Sequence, residues 1–302
     1  MNDLTALILT YNEQENISRT LDSISWVQKI LIVDSYSTDE TVKLAGSYPN
    51  VSVVQRAFDS FAGQCQFGLS QIETNWVLSL DADYAVASAL AEEIRSLPEE
   101  AEVAGYSVVF RYCIFGRPLR TTLYPRRTVL YRRELATYHN EGHGHKVIIR
   151  GKILPLKSFI NHDDRKPLSR WIQSQDRYAL IEARHLLSTP VEQLSAQDRL
   201  RRKIFFAAPS MFLYLLFARG LILDGWPGWF YVYQRTIAEL LLSNRLLIER
   251  EKLEDRRWKG NEANVQHPTF NEEERAANQR SASGASPTAR SEDSDRRSTD
   301  NR

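Results

Sequence analysis

Trp76-Val-Leu-Ser-Leu-Asp81-Ala-Asp83 is the stretch from which the rest of the chain can be read. A mostly apolar run opened by Trp76 leads straight into two carboxylates one residue apart. Such an uninterrupted run predicts a strand buried on both faces of a sheet. In open α/β sheets ligands settle just beyond the carboxyl ends of strands, so Asp81 and Asp83 are expected to emerge where a ligand would lie. Two carboxylates there can share one hard divalent cation with the oxygens of a diphosphate, because Mg²⁺ is usually held by one or two protein carboxylates plus substrate phosphates. The competing reading is a solvated turn, where aspartate is common.

Upstream, three more strand-like runs precede this one: Leu4–Leu9, Lys29–Val33 and Val51–Gln55. Between them Ile17, Leu21 and Ile24, a short segment running to Ser47, and Phe61, Cys65 and Leu69 read as helices. Asn12 with Glu15, and Ser37 with Glu40, have capping-box spacing. Alternating strands and short helices indicate a doubly wound, mostly parallel sheet. Asp34 closes the second strand, so Asp34, Asp81 and Asp83 are expected on one sheet edge. No Gly-x-Gly-x-x-Gly follows the first strand, and no Gly-x-x-x-x-Gly-Lys-Ser/Thr occurs anywhere. Dinucleotide oxidoreductases and P-loop enzymes are thereby disfavoured, and acid-and-metal binding of a nucleotide diphosphate fits better.

Leu7-Ile-Leu-Thr-Tyr-Asn-Glu13, Ile32-Val-Asp-Ser-Tyr-Ser-Thr-Asp-Glu-Thr41 and Leu78-Ser-Leu-Asp-Ala-Asp83, in this order, resemble the family 2 inverting glycosyltransferases. The Arg170–Ala183 and Gly220–Gly228 segments are similar to the branch that builds the lipopolysaccharide core. The resemblance implies a GT-A type nucleotide-sugar-binding α/β domain and a divalent cation, Mg²⁺ or Mn²⁺. It suggests a UDP-sugar, UDP-glucose by preference, as donor and a saccharide or lipid-linked saccharide of the cell envelope as acceptor. It also implies that Thr10, Tyr11 and Glu13 line the nucleotide site, that Asp34 meets the uracil or ribose, that Asp81 lies near the nucleoside, and that Asp83 holds the metal. His162 could complete the metal shell, a turn role being the alternative.

An inverting transferase needs a general base for the attacking acceptor hydroxyl. Glu141, in the Gly-flanked stretch His139-Asn-Glu-Gly-His-Gly-His145, is the expected base, with His143 as the alternative. A zinc site built from His139, His143 and His145 is a further reading, and so is a plain polar loop. The basic segment Arg117–Arg133 reads either as a solvated hairpin face or as a surface for an anionic acceptor.

With 302 residues, 42% of them apolar, and a net charge of +1, the chain can bury a large core and has no charge excess favouring nucleic acid. Cys65 and Cys113 lack metal or redox spacing, and no signal peptide is visible, so a cytoplasmic protein is expected. The chain is expected to divide into a catalytic domain (1–165), a helical acceptor- and membrane-associated region (166–258) and a disordered tail (259–302). Ile204–Leu223 is the most apolar stretch, with basic residues before it and aromatics after it, which reads as an element in the membrane interface or as a buried hairpin. A peripheral position on the inner face of the cytoplasmic membrane follows from the first reading. Two alternatives to transfer chemistry are nucleotidyl transfer and a non-catalytic GT-A-like scaffold at the cell envelope.

Overall fold

The computed structural model describes residues 3–98, 102–141 and 144–265. Residues up to Arg250 form one compact unit; the second unit begins at Glu251, and the described part of it is helical as far as Val265. The first unit opens with β1 (Leu4–Thr10), α1 (Ile17–Ser23), β2 (Lys29–Asp34), α2 (Thr41–Ala45), β3 (Val51–Gln55), α3 (Phe61–Ser70) and β4 (Trp76–Asp81). It continues through β5 (Tyr84–Val86), α4 (Ser88–Arg95), β6 (Val103–Ile114), β7 (Arg117–Pro118), β8 (Arg127–Arg132), β9 (Ala136–Glu141), β10 (Gly144–Ile149) and β11 (Lys152–His162).

The main sheet runs β3-β2-β1-β4-β8-β6-β11-β5, with β7 paired to β6. The first four strands are parallel, as the alternation of strands and helices predicts. Beyond them the sheet is mixed: β8 lies antiparallel between β4 and β6, and β5 is antiparallel to β11. The expectation of a mostly parallel sheet is therefore corrected to a parallel half joined to a mixed half.

Each strand of the parallel half feeds two cores because successive side chains point to opposite faces. Ala6, Ile8, Ile30, Ile32, Leu78 and Leu80 pack with Ile17, Leu21 and Ile24 beside α1 and with Leu90 and Ile94 of α4. Leu7, Leu31, Val33 and Val77 face the other way, onto Ala62, Cys65 and Leu69 of α3 and Ala136 and Tyr138 of β9. Gly68 permits this closeness, since a Cβ there would lie 2.5 Å from Leu7 Cδ1.

Three local expectations change. Neither capping box forms: α1 starts at Ile17 and α2 at Thr41, each without a side-chain cap, because Asn12 and Ser37 bond across to each other's loops. Residues 85–96 read in the sequence as one surface helix; the structure instead forms the short strand β5 first and starts α4 at Ser88. Of the expected loop 139–145, residues 139–141 lie on β9 and 144–145 on its antiparallel partner β10, with Glu141 opposite Gly144; Gly142 and His143 lie outside the described residues.

After β11 come α5 (Leu168–Ser188), α6 (Ala196–Arg202), α7 (Ala207–Leu213), a π-helical turn at Tyr214–Ala218 and α8 (Trp226–Val265). Glu239, buried in α8, is gripped by Arg201 through bonds of 2.7 and 3.2 Å, which satisfies a charge that burial alone would penalise. Helix α8 runs past Lys259, where disorder was expected to begin; residues 266–302 lie outside the described residues. Among the described residues no helix is long and apolar enough to cross a membrane.

Candidate active site

Thr10, Asp34 and Asp81 end three neighbouring parallel strands, with Thr10 in register with Asp34 and Leu9 with Asp81. The strand ends thus gather the predicted acids on one edge. Thr20 Oγ1 donates to the carbonyl of Ala82 over 2.6 Å and fixes the turn that carries Asp83.

Asp34 is fully buried. Its carboxylate accepts from Thr10 Oγ1 (2.9 Å), the Ser37 amide (2.8 Å), Ser37 Oγ (2.5 Å) and Gln55 Nε2 (3.1 Å). All its acceptor capacity is spent inside the protein, so in this conformation Asp34 shapes the loop and does not face a ligand. The two loops beyond β1 and β2 are braced together. Asn12 Oδ1 accepts from the amides of Thr38 (2.7 Å) and Asp39 (3.3 Å), and Ser37 Oγ accepts from the Asn12 amide at 2.7 Å. Asn12 and Tyr36 both have positive φ, 56° and 59°, a conformation costly outside glycine and concentrated at functional sites. Tyr11, 54% exposed, and Tyr36, 55% exposed, present their rings on this edge.

The antiparallel pairing of β11 with β5 sets His162 opposite Tyr84, and His162 Nε2 lies 3.2 Å from Asp83 Oδ2. The imidazole is packed among the rings of Tyr84, Tyr112 and Tyr124 at centroid distances of 5.2, 4.7 and 5.0 Å. Burial works to raise the Asp83 carboxyl, but His162 and Lys166 outweigh it and hold the group below the usual carboxylate range. Burial likewise works to lower His162, and Asp83 outweighs it, so the imidazole titrates above its ordinary value.

Asp83 Oδ1 and His162 Nδ1 are buried without a hydrogen-bond partner. An orphaned carboxylate oxygen beside an imidazole fits a divalent cation, which would satisfy atoms the protein leaves bare. Among the described residues no group of three or more His, Cys, Asp or Glu is gathered around a metal position, so further ligands would have to come from diphosphate and water.

Several residues that sequence reasoning left without a role complete the site. Lys166 Nζ lies 2.8 Å from Glu13 Oε1 and 3.6 Å from Asp164. Burial raises Glu13 to about 7 despite the opposing pull of Lys166. Asn16, fully buried, donates to Glu13 Oε2 (3.1 Å) and Asp164 Oδ1 (3.0 Å) and accepts from the Arg165 amide (3.0 Å). Arg19 donates to the carbonyl of Asp163, and Arg170 to the carbonyls of Tyr11 and Asn12. The segment 162–170 therefore straps the loop after β1 to the residue pair at Asp83. The only hint in the sequence was the density of charge in His162-Asp-Asp-Arg-Lys166.

Glu141 closes β9, and its side chain lies outside what is described; His139, on the same strand, is exposed.

Comparison with known proteins adds what geometry cannot. The lipopolysaccharide core biosynthesis glycosyltransferase LpsC of Rhizobium meliloti (strain 1021) is 26% identical over 239 residues, 74% of this chain and 84% of LpsC. An uncharacterized glycosyltransferase of Rickettsia felis is 34% identical over 95 residues, 31% of this chain and 33% of that protein. The crystal structure of S. aureus TarS 1-349 overlaps 82% of this chain and 91% of its own, with a TM-score of 0.42 and 14% identity. Residues 5–155, half of the chain, match the model of glycosyl transferase family 2, and the chain belongs to that family of enzymes.

Proposed function

We propose that the chain is an inverting, metal-dependent hexosyltransferase that moves glucose from UDP-glucose to a cell-envelope saccharide such as the lipopolysaccharide core. The observation that carries this reading is the orphaned oxygen of Asp83, buried beside His162 on the edge where Thr10, Asp34 and Asp81 end their strands. The acceptor class is supported by the alignment with LpsC over most of both chains.

In this reading Thr10, Tyr11 and Glu13 line the nucleotide and Asp81 lies next to the nucleoside. Asp34 acts indirectly, by holding the loop. Asp83 and His162 hold Mg²⁺ or Mn²⁺, which when bound offsets charge on the leaving diphosphate. Glu141, or failing it His143, takes the proton of the acceptor hydroxyl as that oxygen bonds to the anomeric carbon. The bond from that carbon to the diphosphate breaks with its electron pair on the diphosphate, and attack from the opposite face inverts the centre. Residues 1–165 form the catalytic domain, 166–258 the acceptor-facing region and 259–302 a tail, and the chain works at the inner face of the cytoplasmic membrane.

Thermal unfolding with UDP, GDP, ADP, CMP and their sugars, with and without Mn²⁺, tests the reading. A ligand at about 100 times its Kd adds about 2.7 kcal/mol. The expected result is a Mn²⁺-dependent shift with UDP and its glucose conjugate, lost in Asp83→Asn, and retained in a transfer-dead Glu141→Gln. A folded wild-type protein that responds to none of these ligands would overturn the proposal.

A further inference from the structure

The helical stretch that includes α7 and the π-helical turn is apolar on both of its faces. Inward, Ala207, Ala208, Leu215 and Leu216 are buried, the last two packing with Leu221, Tyr231 and Val232. Outward, Phe206, Leu213 and Phe217, spaced seven and four residues apart, form a stripe, and Phe217 is 61% exposed. Leu223, 66% exposed, and Trp226 continue the exposed apolar surface along the chain. A second segment joins it: the turn between β6 and β7 sets exposed Phe115 at 6.2 Å from Trp226, ring to ring, with the Arg117 guanidinium 5.4 Å above the Trp226 ring. Single exposed apolar residues are ordinary, but an aromatic stripe on the back of a core helix marks an interaction surface.

Charge selects the partner. From Arg199 to Leu223 the sequence holds no Asp or Glu and five bases, Arg199, Arg201, Arg202, Lys203 and Arg219. Arg201 is committed to Glu239 and Arg219 to Thr121 and Thr122, whereas Arg199 and Lys203 are exposed. A two-fold contact between copies of this chain would bring the same patch, and the same bases, face to face. An anionic lipid surface meets both the bases and the aromatic rings.

We infer that this surface seats the protein on a bilayer containing anionic lipid, its aromatic stripe at the headgroup boundary and Arg117, Arg199 and Lys203 among the phosphates. The packing also links the surface to the site. Tyr231, beneath the stripe, meets the Tyr112 ring at a tilt, 4.9 Å between centroids, and Tyr112 meets His162 edge to face at 4.7 Å. Resting on the function proposed above, this would bring a lipid-linked acceptor near the donor site.

Vesicle flotation of the full chain tests the inference, using phosphatidylcholine alone and phosphatidylcholine with phosphatidylglycerol. The wild-type protein is expected to float with the anionic vesicles and to be released by salt. Phe206→Ser/Leu213→Ser/Phe217→Ser should weaken partitioning about tenfold or more. Arg199→Glu/Lys203→Glu should weaken it on anionic vesicles alone. All five side chains are exposed, so these variants should keep the wild-type unfolding temperature and the UDP-induced shift. That shift also separates failure of this inference from failure of the proposed function. Folded wild-type protein that floats with neither vesicle would overturn the inference. So would a dimer in sedimentation velocity that the triple-serine variant dissociates, which would assign the stripe to a second copy.

Discussion

Removing the buried carboxylate of Asp34 should loosen the loops of the donor site without touching a ligand directly. In Asp34→Asn the amide oxygen can still accept from the Ser37 amide and Gln55 Nε2. The new NH₂ can donate to the hydroxyls of Thr10 and Ser37, which rotate to accept. What is lost is charge assistance, since bonds to a charged group contribute about 1.5–3 kcal/mol against about 0.5–1.5 for neutral ones. Asp34→Asn should therefore cost about 1–3 kcal/mol. Asp34→Ala leaves the Ser37 amide without its partner beside a fully buried position, at about 1–3 kcal/mol, while Gln55, itself exposed, can turn its amide to water; with the lost packing the cost should be about 2–4 kcal/mol. Urea unfolding followed by circular dichroism measures both, and the UDP-with-Mn²⁺ thermal shift reports the site. The UDP response should weaken in proportion to lost stability, more in Ala than in Asn. An Asn variant of wild-type stability that ignores UDP would refute this reasoning and make Asp34 a direct nucleotide contact. An Ala variant within about 1 kcal/mol of wild type would refute the claim that these bonds hold the loops.

Glu13 supplies a pH test. Because its folded pKa lies near 7 against an ordinary 4.5, the folded chain binds more protons than the unfolded chain between those values, and stability falls as pH rises through the window. Urea midpoints at about pH 5 and about pH 7.5 should differ less in Glu13→Gln than in wild type; equal slopes would count against the assignment. Glu239→Gln weakens the main partner of Arg201, which keeps Asp198 at 3.4 Å and Glu182 at 3.5 Å, so a loss of about 2–4 kcal/mol is expected by urea unfolding. Gly228→Ala would place a Cβ 1.9 Å from the carbonyl oxygen of Leu221. The start of α8 would have to move, costing about 3 kcal/mol or more, seen as a lower unfolding temperature with secondary structure retained.

What could be read from the sequence follows from what local patterns encode. Strands β1, β2 and β4 are buried on both faces and end in Thr10, Asp34 and Asp81, so composition alone marks them and their register aligns those ends. The antiparallel insertion of β8 between β4 and β6 depends on pairing over long separations, for which periodicity carries no signal. Strand β5 has only three residues, too few for a period. Asn12 and Ser37 have the chemistry of caps, but each found a stronger use bonding the opposite loop. Asn16, Lys166 and Arg170 had no bracing role assigned from the sequence for a related reason: their partners lie far away in it, as with Asn16 and Asp164 at a separation of 148 residues.

The strap between β11 and the loop after β1 also sets the order in which the enzyme can become competent during its synthesis. The donor loop leaves the ribosome before Asp163, Asp164, Lys166 and Arg170, which hold it and follow well over a hundred residues later. A nascent chain can fold its parallel sheet and still lack the braces that fix Glu13 and Asn16. Competence for the donor thus arrives as a late and single event, and an arrested chain ending before Asp163 should bind UDP far more weakly than one ending after Arg170, a difference measurable on stalled nascent chains.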